Sequence, residues 1–497
     1  NHLPSKTITR SYFFGLSSAL TSMPIMSLVI STNNLYGPTG IIGIGGGYYS
    51  NGIWYASGTN DYHNPSKHGR AWERSVSVEY FKINGDSGFQ VDAGIRVHGA
   101  NYIRPRYQLT SKFSFRLYFR GDYGPTKLNY PLFPNIPVTI FDQLVLRAGM
   151  NDQNPFIRDE LARRLGIDEG QVEVSGTFVN LFINGEYKGY YNPTERVRSG
   201  TLQAHHGGGE DWDLITIGSV AQEGDAIEWN SLRSFVNSAD VTKPEIYKSV
   251  MRRFDVTNFV DYLLLKHFVG GGDWPHNNWR SARERSTNGI FRYYLWDDEW
   301  DFGFNNRPPT LNLFTNELAG GTEVAQFYKR LILNSEFKQL WIDRVHKHFF
   351  NGGALMNENA IKRHNELESI VFNVISNFNF TIVTNWIPRR RTNVLQQFEE
   401  RGLIASSNAP VFSKFGGVVR KNYPLSMSCL FGQIYFTTNG DDPRVMFTAG
   451  IAPSAMPYIN GNPIRLSRSM TIRARTLYEA NWSAITEAPF QVDEIGI

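Results

Sequence analysis

The sequence predicts an α+β protein that carries a small all-β domain at its carboxyl end. Short segments with alternating apolar and polar residues occupy the stretch before residue 200, a pattern typical of strands. Helical periodicity dominates in residues 245–268, 324–350 and 357–372, and short strands separated by turns return after Gly402. The elements do not alternate as strand–helix–strand units, and this favours an α+β fold over a parallel α/β fold.

The first elements are strands. Residues 75–81 and 90–98 alternate between apolar and polar side chains, and the region from about residue 28 to 133 is broken repeatedly by Gly and Pro. The first good helix covers residues 156–165 and ends at Gly166. Strands resume at residues 176–183 and turn through Asn184-Gly185, a strong hairpin signal.

The later elements are helices, followed by the tail. Helical periodicity covers residues 245–268, 324–350 and 357–372, and Asp255 or Thr257 is expected to act as an N-cap within the first of these segments. A change in composition near residues 405–410 predicts a domain boundary. We therefore divide the chain into three parts: a lead-in segment at 1–25, a core at 26–404 that is β-rich over 26–200 and helical over 324–403, and an all-β tail at 410–497.

Length, charge and cysteine content exclude several classes of protein. The 497 residues correspond to about three domains at roughly 150 residues each. The formal net charge of +4 is too dilute for a surface that binds nucleic acid, and no apolar run approaches the length of a membrane span. The single cysteine, Cys429, excludes an intramolecular disulfide framework and a Cys-rich metal site. We therefore expect a folded protein that neither binds nucleic acid nor spans a membrane.

The densest cluster of chemically active residues lies between residues 270 and 303. Asp273 is followed five residues later by Asn278, and Asp297 directly follows an apolar segment. A turn at Asn288-Gly289 predicts a hairpin of residues 279–284 and 290–296 that would bring these groups together. Phosphoryl transfer to a hydroxyl needs a carboxylate beside that hydroxyl and oxygen ligands for Mg²⁺, which this spacing supplies. Asp and Asn are also common in turns, so turn formation alone explains the short motif as well.

A basic segment upstream alternates strictly. Residues 112–120 place Lys112, Arg116 and Arg120 on one face and Phe and Leu side chains on the other. A basic strand of this kind suits a triphosphate, although a half-solvated strand has the same pattern. Glu195 is a candidate ion-pair partner for one of these bases, or an ordinary surface charge.

Other charged residues are expected to be structural. Asp152 and Asp159 lie near Arg147 and Arg158 in the sequence and predict ion pairs, with a smaller chance of lining a cleft. The three arginines at 389–391 are typical of a solvated helix start, and the two histidines at 205–206, beside three glycines, predict a loop.

An ordered series of segments resembles the CotH-type kinases, a family of atypical protein kinases. The resemblance covers roughly residues 26–403, and the order of the segments is far more specific than any one of them. It implies a reduced kinase-like core that binds ATP with Mg²⁺ or Mn²⁺ and phosphorylates Ser or Thr hydroxyls of a protein acceptor. The matching segments are residues 75–81, 91–99, 112–117, 180–187 with Glu195, 273–278 and 296–303.

The resemblance also implies roles for individual residues. The acidic cluster after the hairpin has Asp-Asp-Glu where the family more often has Asp-x-Asp, so the second acidic metal ligand is either Asp298 or Glu299. By position, the implied residues are the base Asp273, the metal ligands Asn278, Asp297 and Asp298, and the nucleotide contacts Lys112, Arg116 and Glu195.

Asp301-Phe302-Gly303 matches the metal motif of protein kinases, but we predict Asp297 as the ligand instead. Asp297 directly follows the predicted strand that returns beside Asn278, whereas Asp301 lies four residues further along. Because Mg²⁺ ligands lie about 2.1 Å from the ion and one extended residue spans about 3.3 Å, that displacement is decisive.

The tail resembles the small β-sandwich found at the carboxyl end of chitobiases and β-hexosaminidases, over about residues 433–483. This resemblance implies a secreted or cell-surface protein with a glycan as a possible partner. Trp482 is either a sugar-stacking residue or, by preference, a core residue. Residues 12–30 imitate an export signal, but Pro24 interrupts them and we expect them to be folded.

Two functions remain in competition at this point. The first is phosphotransfer from ATP to Ser or Thr. The alternative is a non-catalytic surface, adhesion or glycan-binding protein that reuses the same fold. Transfer of a labelled phosphoryl group from ATP distinguishes the two.

Overall fold

A computed structural model describes residues 8–83, 86–99, 104, 106, 112–149, 154–405 and 408–493. These residues form a barrel, a helical part that contains a second sheet, and a carboxyl-terminal set of strands. The predicted α+β class is confirmed. Among the helices described, none has both the length and the apolar character needed to cross a membrane.

Seven strands close into the barrel, and its interior is apolar. Phe115 and Leu117 point into the barrel core, so the predicted alternation places Arg116 between them on the outer face. Around the barrel the order is β1-β6-β7-β5-β4-β3-β2, with β1 parallel to β6 and the other pairs antiparallel. In chain order the strands are β1 (Ile25–Val29), β2 (Arg74–Phe81), β3 (Ser87–His98), β4 (Ser114–Tyr118), β5 (Gln143–Arg147), β6 (Val179–Ile183) and β7 (Glu186–Thr194).

Short elements decorate the barrel. The lead-in segment packs against it, because the Ser11 amide donates to the Glu79 carboxylate over 2.7 Å and Phe13 packs on Phe81. The short elements are the helices Ser18–Thr21 and Thr32–Tyr36 and the strand pairs Ile44–Gly45 with Tyr62–His63, Tyr48–Ser50 with Ile53–Tyr55, and Leu128–Asn129 with Ile140–Phe141.

Two predicted helical segments are each divided by a capping residue. Residues 245–268 form α4 and α5, and the Asp255 side chain accepts from the Asn258 amide at the start of α5, as predicted. Residues 324–350 likewise divide at Asn334. The helices are α1 (Arg158–Asp168), α2 (Ser199–His206), α3 (Ile227–Ser238), α4 (Pro244–Met251), α5 (Val256–Val269), α6 (Glu323–Leu331), α7 (Ser335–Phe349), α8 (Asn357–Val371) and α9 (Ile387–Glu399), with one π-helical turn at Ile382–Trp386.

Three expectations about these helices are wrong. Helix α1 continues through Gly166 to Asp168 instead of ending at that glycine. The histidines at 205–206 end α2 rather than forming a loop. Arg390 is fully buried in α9, where it donates to the carbonyl oxygens of His267 and Pro309 over 2.8 Å each. The last carbonyls of a helix have no partner within the helix, so Arg390 supplies one at the end of α5.

A second sheet packs against α5 and forms the predicted hairpin. The sheet and α5 share a large core rich in aromatic side chains, in which Tyr293 of the sheet stacks on Tyr262 of α5. The strands are β8 (Trp212–Thr216), β9 (Val220–Glu223), β10 (Trp279–Glu284) and β11 (Arg292–Leu295), in the order β9-β8-β10-β11.

The tail consists of strands around its own apolar core and is joined to α7 by buried ion pairs. Arg475 contacts Asp343 at 2.6 Å, and Arg444 contacts Glu336 at 2.7 Å. Trp482 is buried and donates to the Ala449 carbonyl, so it is a core residue. The strands are Val411–Phe412, Gly417–Arg420, Tyr423–Leu425, Met427–Ser428, Gln433–Thr437, Met456–Pro457, Ile464–Leu466, Met470–Tyr478, Asn481–Trp482 and Thr486–Asp493.

Candidate active site

Three of the predicted site residues meet at the open end of the β10–β11 hairpin. Trp279 pairs with Leu295 across the hairpin, so Asn278 and the residues after Leu295 lie next to each other. The Asn278 side-chain amide donates to Asp273 Oδ2 over 3.2 Å and to the Asp297 carbonyl over 3.3 Å. The hairpin therefore places residues 273–278, the candidate catalytic loop, beside residues 297–299, which form the acidic cluster.

These three residues share an uncommon backbone conformation. Asp273, Asn278 and Asp297 have φ angles of 53°, 50° and 62°, in the left-handed region. Asp and Asn tolerate this region better than other non-glycine residues, and such positions cluster at ligand sites. Gly272 is required for the same close packing, because a Cβ there would lie 2.1 Å from the Trp300 carbonyl oxygen.

The carboxylates of this group reach solvent. The side chain of Asp273 is 28% exposed and that of Asp297 is 35% exposed. Asp273 also contacts His276 Nε2 at 3.0 Å and accepts from the Asn277 side chain at 3.0 Å. Asp273 and Asp297 therefore each present a carboxylate that an incoming ligand can reach.

Arg147 connects the acidic segment to the barrel. It ends β5 and contacts Asp297 directly, Glu299 at 3.2 Å and Asp159 at 3.3 Å. Burial alone would lower the pKa of Arg147, but the three carboxylates raise it well above its ordinary value. The predicted Asp159–Arg147 ion pair is confirmed, whereas Asp152 lies outside the described residues.

Asp298 faces the protein interior, unlike Asp297. Its carboxylate is fully buried and contacts Lys266 of α5, and its backbone amide donates to Asp159 over 2.8 Å. Glu299, the other candidate for the second acidic ligand, shares Arg147 with Asp297. The geometry therefore favours Glu299 over Asp298 as the carboxylate on the side of the site.

Asp301, the residue of the kinase-like motif, is also buried. Its Oδ1 accepts from the Gly272 amide over 2.5 Å, and its Oδ2 lies 3.8 Å from Lys266 Nζ. Burial, together with the charge of Asp298, raises the pKa of Asp301 well above its ordinary value even though Lys266 opposes the change. Asp301 therefore links Gly272, the residue before the candidate catalytic loop, to Lys266 of α5 through contacts in the protein interior.

The basic strand contributes two cations with different surroundings. Lys112 Nζ donates to the Tyr190 carbonyl over 2.9 Å and lies 4.5 Å from the Tyr191 ring centroid. Burial lowers the pKa of Lys112 to about 8. Arg116 is buried and contacts His98 Nδ1 at 3.3 Å.

Further arginines extend this positive region toward Asp297. Burial and then the charges of Arg198 and Arg96 lower the pKa of Arg116. Burial lowers the pKa of Arg280 to about 10, an effect that the Asp297 charge opposes and the Arg198 charge reinforces. Arg116 and Arg96 lie 5.5 and 5.2 Å from the centroid of the Tyr118 ring, and Arg280 lies 4.7 Å from that of Trp296, the residue before Asp297. A group of cations of this kind favours a polyanionic ligand. The sequence predicted Arg147 as an ion-pair residue but gave no role to Arg198 or Arg280, and only the position of Arg280, two residues after Asn278, offered a signal.

Glu195 has partners other than the basic strand. It is buried, accepts from the Ser175 amide over 2.9 Å and contacts His205 Nε2 at 3.0 Å. It also lines a small cavity with Arg147 and Asp297. Its contacts therefore join the end of β7 to α2 beside the site, which differs from both sequence alternatives, an ion pair with a base of residues 112–120 and an ordinary surface charge.

The donor atoms suit a hard cation. Mg²⁺ binds proteins through one or two carboxylates and takes its remaining ligands from water and substrate phosphates. Asp297 and Asn278 supply a carboxylate and an amide oxygen. Within the described ranges, no three His, Cys, Asp or Glu side chains form a metal-binding group by themselves. The arrangement therefore fits a cation that arrives with phosphate oxygens rather than one held by protein alone.

Comparisons with known proteins identify the family. The family model described as CotH kinase protein matches residues 95–378, which is more than half of the chain and contains every candidate residue of the active site. The matched range is shorter at both ends than the range of roughly residues 26–403 over which the sequence resembles the family.

Other comparisons add little. No curated protein matches the chain. Among solved structures, the proinflammatory kinase CtkA of Helicobacter pylori aligns with 10% identity over 52% of this chain and 86% of that chain, with a TM-score of 0.23. That score is too low to support an argument. On the family match, the chain belongs to the CotH kinase family.

Proposed function

We propose that this protein transfers the γ-phosphoryl group of ATP to Ser or Thr hydroxyls of a protein acceptor. The observation that carries the proposal is the bridge from Asn278 to Asp273 and Asp297 beside a region of buried arginines. A phosphotransferase needs an acceptor-side carboxylate, a cation site and positive charge for the phosphates close together.

In this proposal Asp273 accepts the proton of the acceptor hydroxyl. Its carboxylate is partly exposed and is oriented by the side chains of His276, Asn277 and Asn278. Three fixed contacts hold the base in one orientation, which lowers the entropic cost of aligning it with the hydroxyl.

Asp297 and Asn278 would hold Mg²⁺ or Mn²⁺, with Glu299, which shares Arg147 with Asp297, as a further carboxylate. When bound, the cation neutralises charge on the phosphate oxygens during transfer. Arg147 holds Asp297 from the barrel side and so keeps the carboxylate at the opening. Lys112 and Arg116 would contact phosphates, and a bound anion would offset the cost of burying their charges.

The proposed location of this protein and of its acceptor depends on the tail alone. The resemblance of the tail to the β-sandwich of chitobiases supports a secreted or cell-surface protein. Because Trp482 is buried, a glycan bound by the tail would need other side chains.

The test is phosphoryl transfer from labelled ATP, with Mg²⁺ or Mn²⁺, to the protein itself and to casein as a Ser-rich acceptor. We expect Asp273→Asn to lower kcat by about 10²–10⁴-fold, the usual contribution of a general base, while ATP affinity changes little. Asp240→Asn, in an exposed loop, is the matched control and should keep full activity. Normal turnover by Asp273→Asn contradicts the assignment of the base. Absence of transfer by the wild-type chain with either metal supports the non-catalytic alternative instead.

A further inference from the structure

A stacked aromatic pair lies directly beside the proposed base. The Trp300 ring stacks on the Phe304 ring, with their centroids 5.6 Å apart and their planes inclined by 22°. Trp300 is 37% exposed, although its backbone packs so closely on Gly272 that a Cβ there would lie 2.1 Å from the Trp300 carbonyl oxygen. Gly272 immediately precedes Asp273. The aromatic pair therefore borders the position at which an acceptor hydroxyl would meet Asp273.

The segment that carries the two rings is fixed against the residues that precede the proposed base. The Asp301 carboxylate accepts from the Gly272 amide over 2.5 Å. Further along the segment, Arg307 donates to the Gly271 carbonyl over 3.1 Å and contacts Glu317 at 2.6 Å. These contacts hold the backbone on both sides of the aromatic pair, so the rings keep one position relative to the base.

The exposure of this pair points to a partner. A single apolar side chain at a protein surface needs no explanation. Here two aromatic rings stack on a fixed segment, and the larger ring remains open to solvent. Tryptophan on rigid backbone is typical of the side chains that contribute most to binding in protein interfaces, because it buries a large apolar surface at little cost in conformational entropy.

The acceptor polypeptide is the molecule that has to pass over this surface. This step rests on the proposed phosphotransfer, which brings a Ser or Thr hydroxyl to Asp273. An extended chain advances about 3.3 Å per residue, so the side chains next to that hydroxyl lie over the surroundings of the base. We propose that Trp300 and Phe304 form an acceptor subsite that selects a large apolar or aromatic residue within two positions of the phosphorylated Ser or Thr.

The charges near the pair favour an uncharged side chain at this subsite. The Arg158 guanidinium lies 5.7 Å from the centroid of the Phe304 ring, so the aromatic pair already has a cation beside it. The partly exposed carboxylates of Asp273 and Asp297 would repel an acidic residue. A Phe or Leu side chain gains apolar contact with Trp300 and meets neither penalty.

The test uses the full chain and short peptides with one central Ser, in which the two residues on either side are all Ala or include one Phe, Leu, Lys or Asp. Transfer from labelled ATP gives kcat/KM for each peptide, and fluorescence anisotropy of dye-labelled peptides measures binding without transfer. We expect kcat/KM for the best Phe or Leu peptide to exceed that for the Ala peptide by about 10-fold or more, the effect of one well-buried interface contact. Lys and Asp peptides should be used no better than the Ala peptide.

Three variants isolate the contribution of the ring. Trp300→Ala should remove the preference while kcat/KM for the Ala peptide and the KM for ATP stay unchanged, because the backbone contact with Gly272 remains. Trp300→Phe keeps an aromatic ring and should retain most of the preference. Phe415→Ala is the matched control, since that ring is 40% exposed in the tail and stacks on Phe412, and it should show the wild-type preference.

Several outcomes would overturn the proposal. They are equal use of Phe, Leu and Ala peptides by the wild type, an unchanged preference in Trp300→Ala, and a preference for Lys peptides. A rise in the KM for ATP in Trp300→Ala would also overturn it, because the rings would then contact the nucleotide. Failure of the phosphotransfer is distinct: Phe peptides that bind and are not phosphorylated, and that Trp300→Ala no longer binds, support the apolar subsite and reject the kinase activity. Absence of both transfer and selective binding rejects both.

Discussion

Replacing Asp297 and Asp301 in turn by Asn separates the two candidate metal ligands. The substitutions keep side-chain size and remove one negative charge each, four residues apart. We expect Asp297→Asn to abolish metal-dependent ATP binding and Asp301→Asn to preserve it. The reason is placement: the side chain of Asp297 is 35% exposed beside Asn278, whereas Asp301 is enclosed with Lys266 and the Gly272 amide.

The structure also sets the size of each effect. Loss of an outer contact to a metal site costs about 10–100-fold in affinity, so loss of a direct carboxylate ligand in Asp297→Asn should exceed 100-fold. Its effect on stability should stay below about 1 kcal/mol, because the pair with Arg147 is partly solvated and Asp159 and Glu299 still contact that guanidinium. In Asp301→Asn the amide oxygen can still accept from Gly272, so ATP affinity should change by less than about 10-fold.

The assay is calorimetric titration of ATP into each variant, once with Mg²⁺ and once with EDTA, together with urea unfolding. The wild type should bind more tightly with Mg²⁺, and the difference between the two titrations should vanish only in Asp297→Asn. If Asp301→Asn loses the Mg²⁺ effect and Asp297→Asn keeps it, the placement is wrong and the kinase-like motif holds the metal. Equal loss in both variants, with unfolding midpoints unchanged, also refutes it.

Three further predictions concern buried charges. Lys266→Met should lower the free energy of unfolding by about 3–5 kcal/mol, measured by urea unfolding, because it leaves fully buried carboxylates uncompensated; adding Asp298→Asn should recover part of the loss. Because burial lowers the pKa of Lys112 to about 8, this side chain loses its charge as the pH rises from 7 to 9, and ATP affinity measured by calorimetry should fall over that range. Lys112→Arg should flatten this pH profile. A profile that the substitution leaves unchanged would show that Lys112 does not contact the phosphates. Arg475→Met should destabilise the contact between the tail and the core by a similar amount, about 3–5 kcal/mol, and Asp343→Asn should restore part of it. Limited proteolysis should then cut the linker near residue 410 faster than in the wild type. Unchanged cleavage would show that the Arg475–Asp343 ion pair does not hold the tail against the core.

The convergence of Asp273, Asn278 and Asp297 could be predicted because it depends on local rules. Two antiparallel strands joined in a hairpin set the residues at their open ends side by side, and this holds here although the connection spans residues 285–291 rather than a two-residue turn at Asn288-Gly289. The alternation of residues 112–120 is equally local, since a strand places successive side chains on opposite faces. Both expectations required only the order and character of neighbouring residues.

The partners of charged groups were predicted less well. Glu195 contacts His205 instead of the basic strand, and Arg390 is buried against the end of α5 instead of solvated. A charged side chain pairs with whichever opposite charge or free carbonyl the packing brings near, and that neighbour lies 10 residues away for Glu195 but 123 residues away for Arg390. Sequence spacing contains no information about such distances.

By itself, the sequence determined the class of fold, the family resemblance and the hairpin that assembles the candidate site, because these follow from periodicity, turns and the order of motifs. Only the tertiary structure decided that Asp297 faces the opening while Asp298 and Asp301 lie buried on Lys266. It also brought Arg147, Arg198 and Arg280 to the site. The physical reason is that burial and charge pairing depend on which distant segments pack together. The packing of the barrel against the helical part decides which segments meet, and no local pattern does.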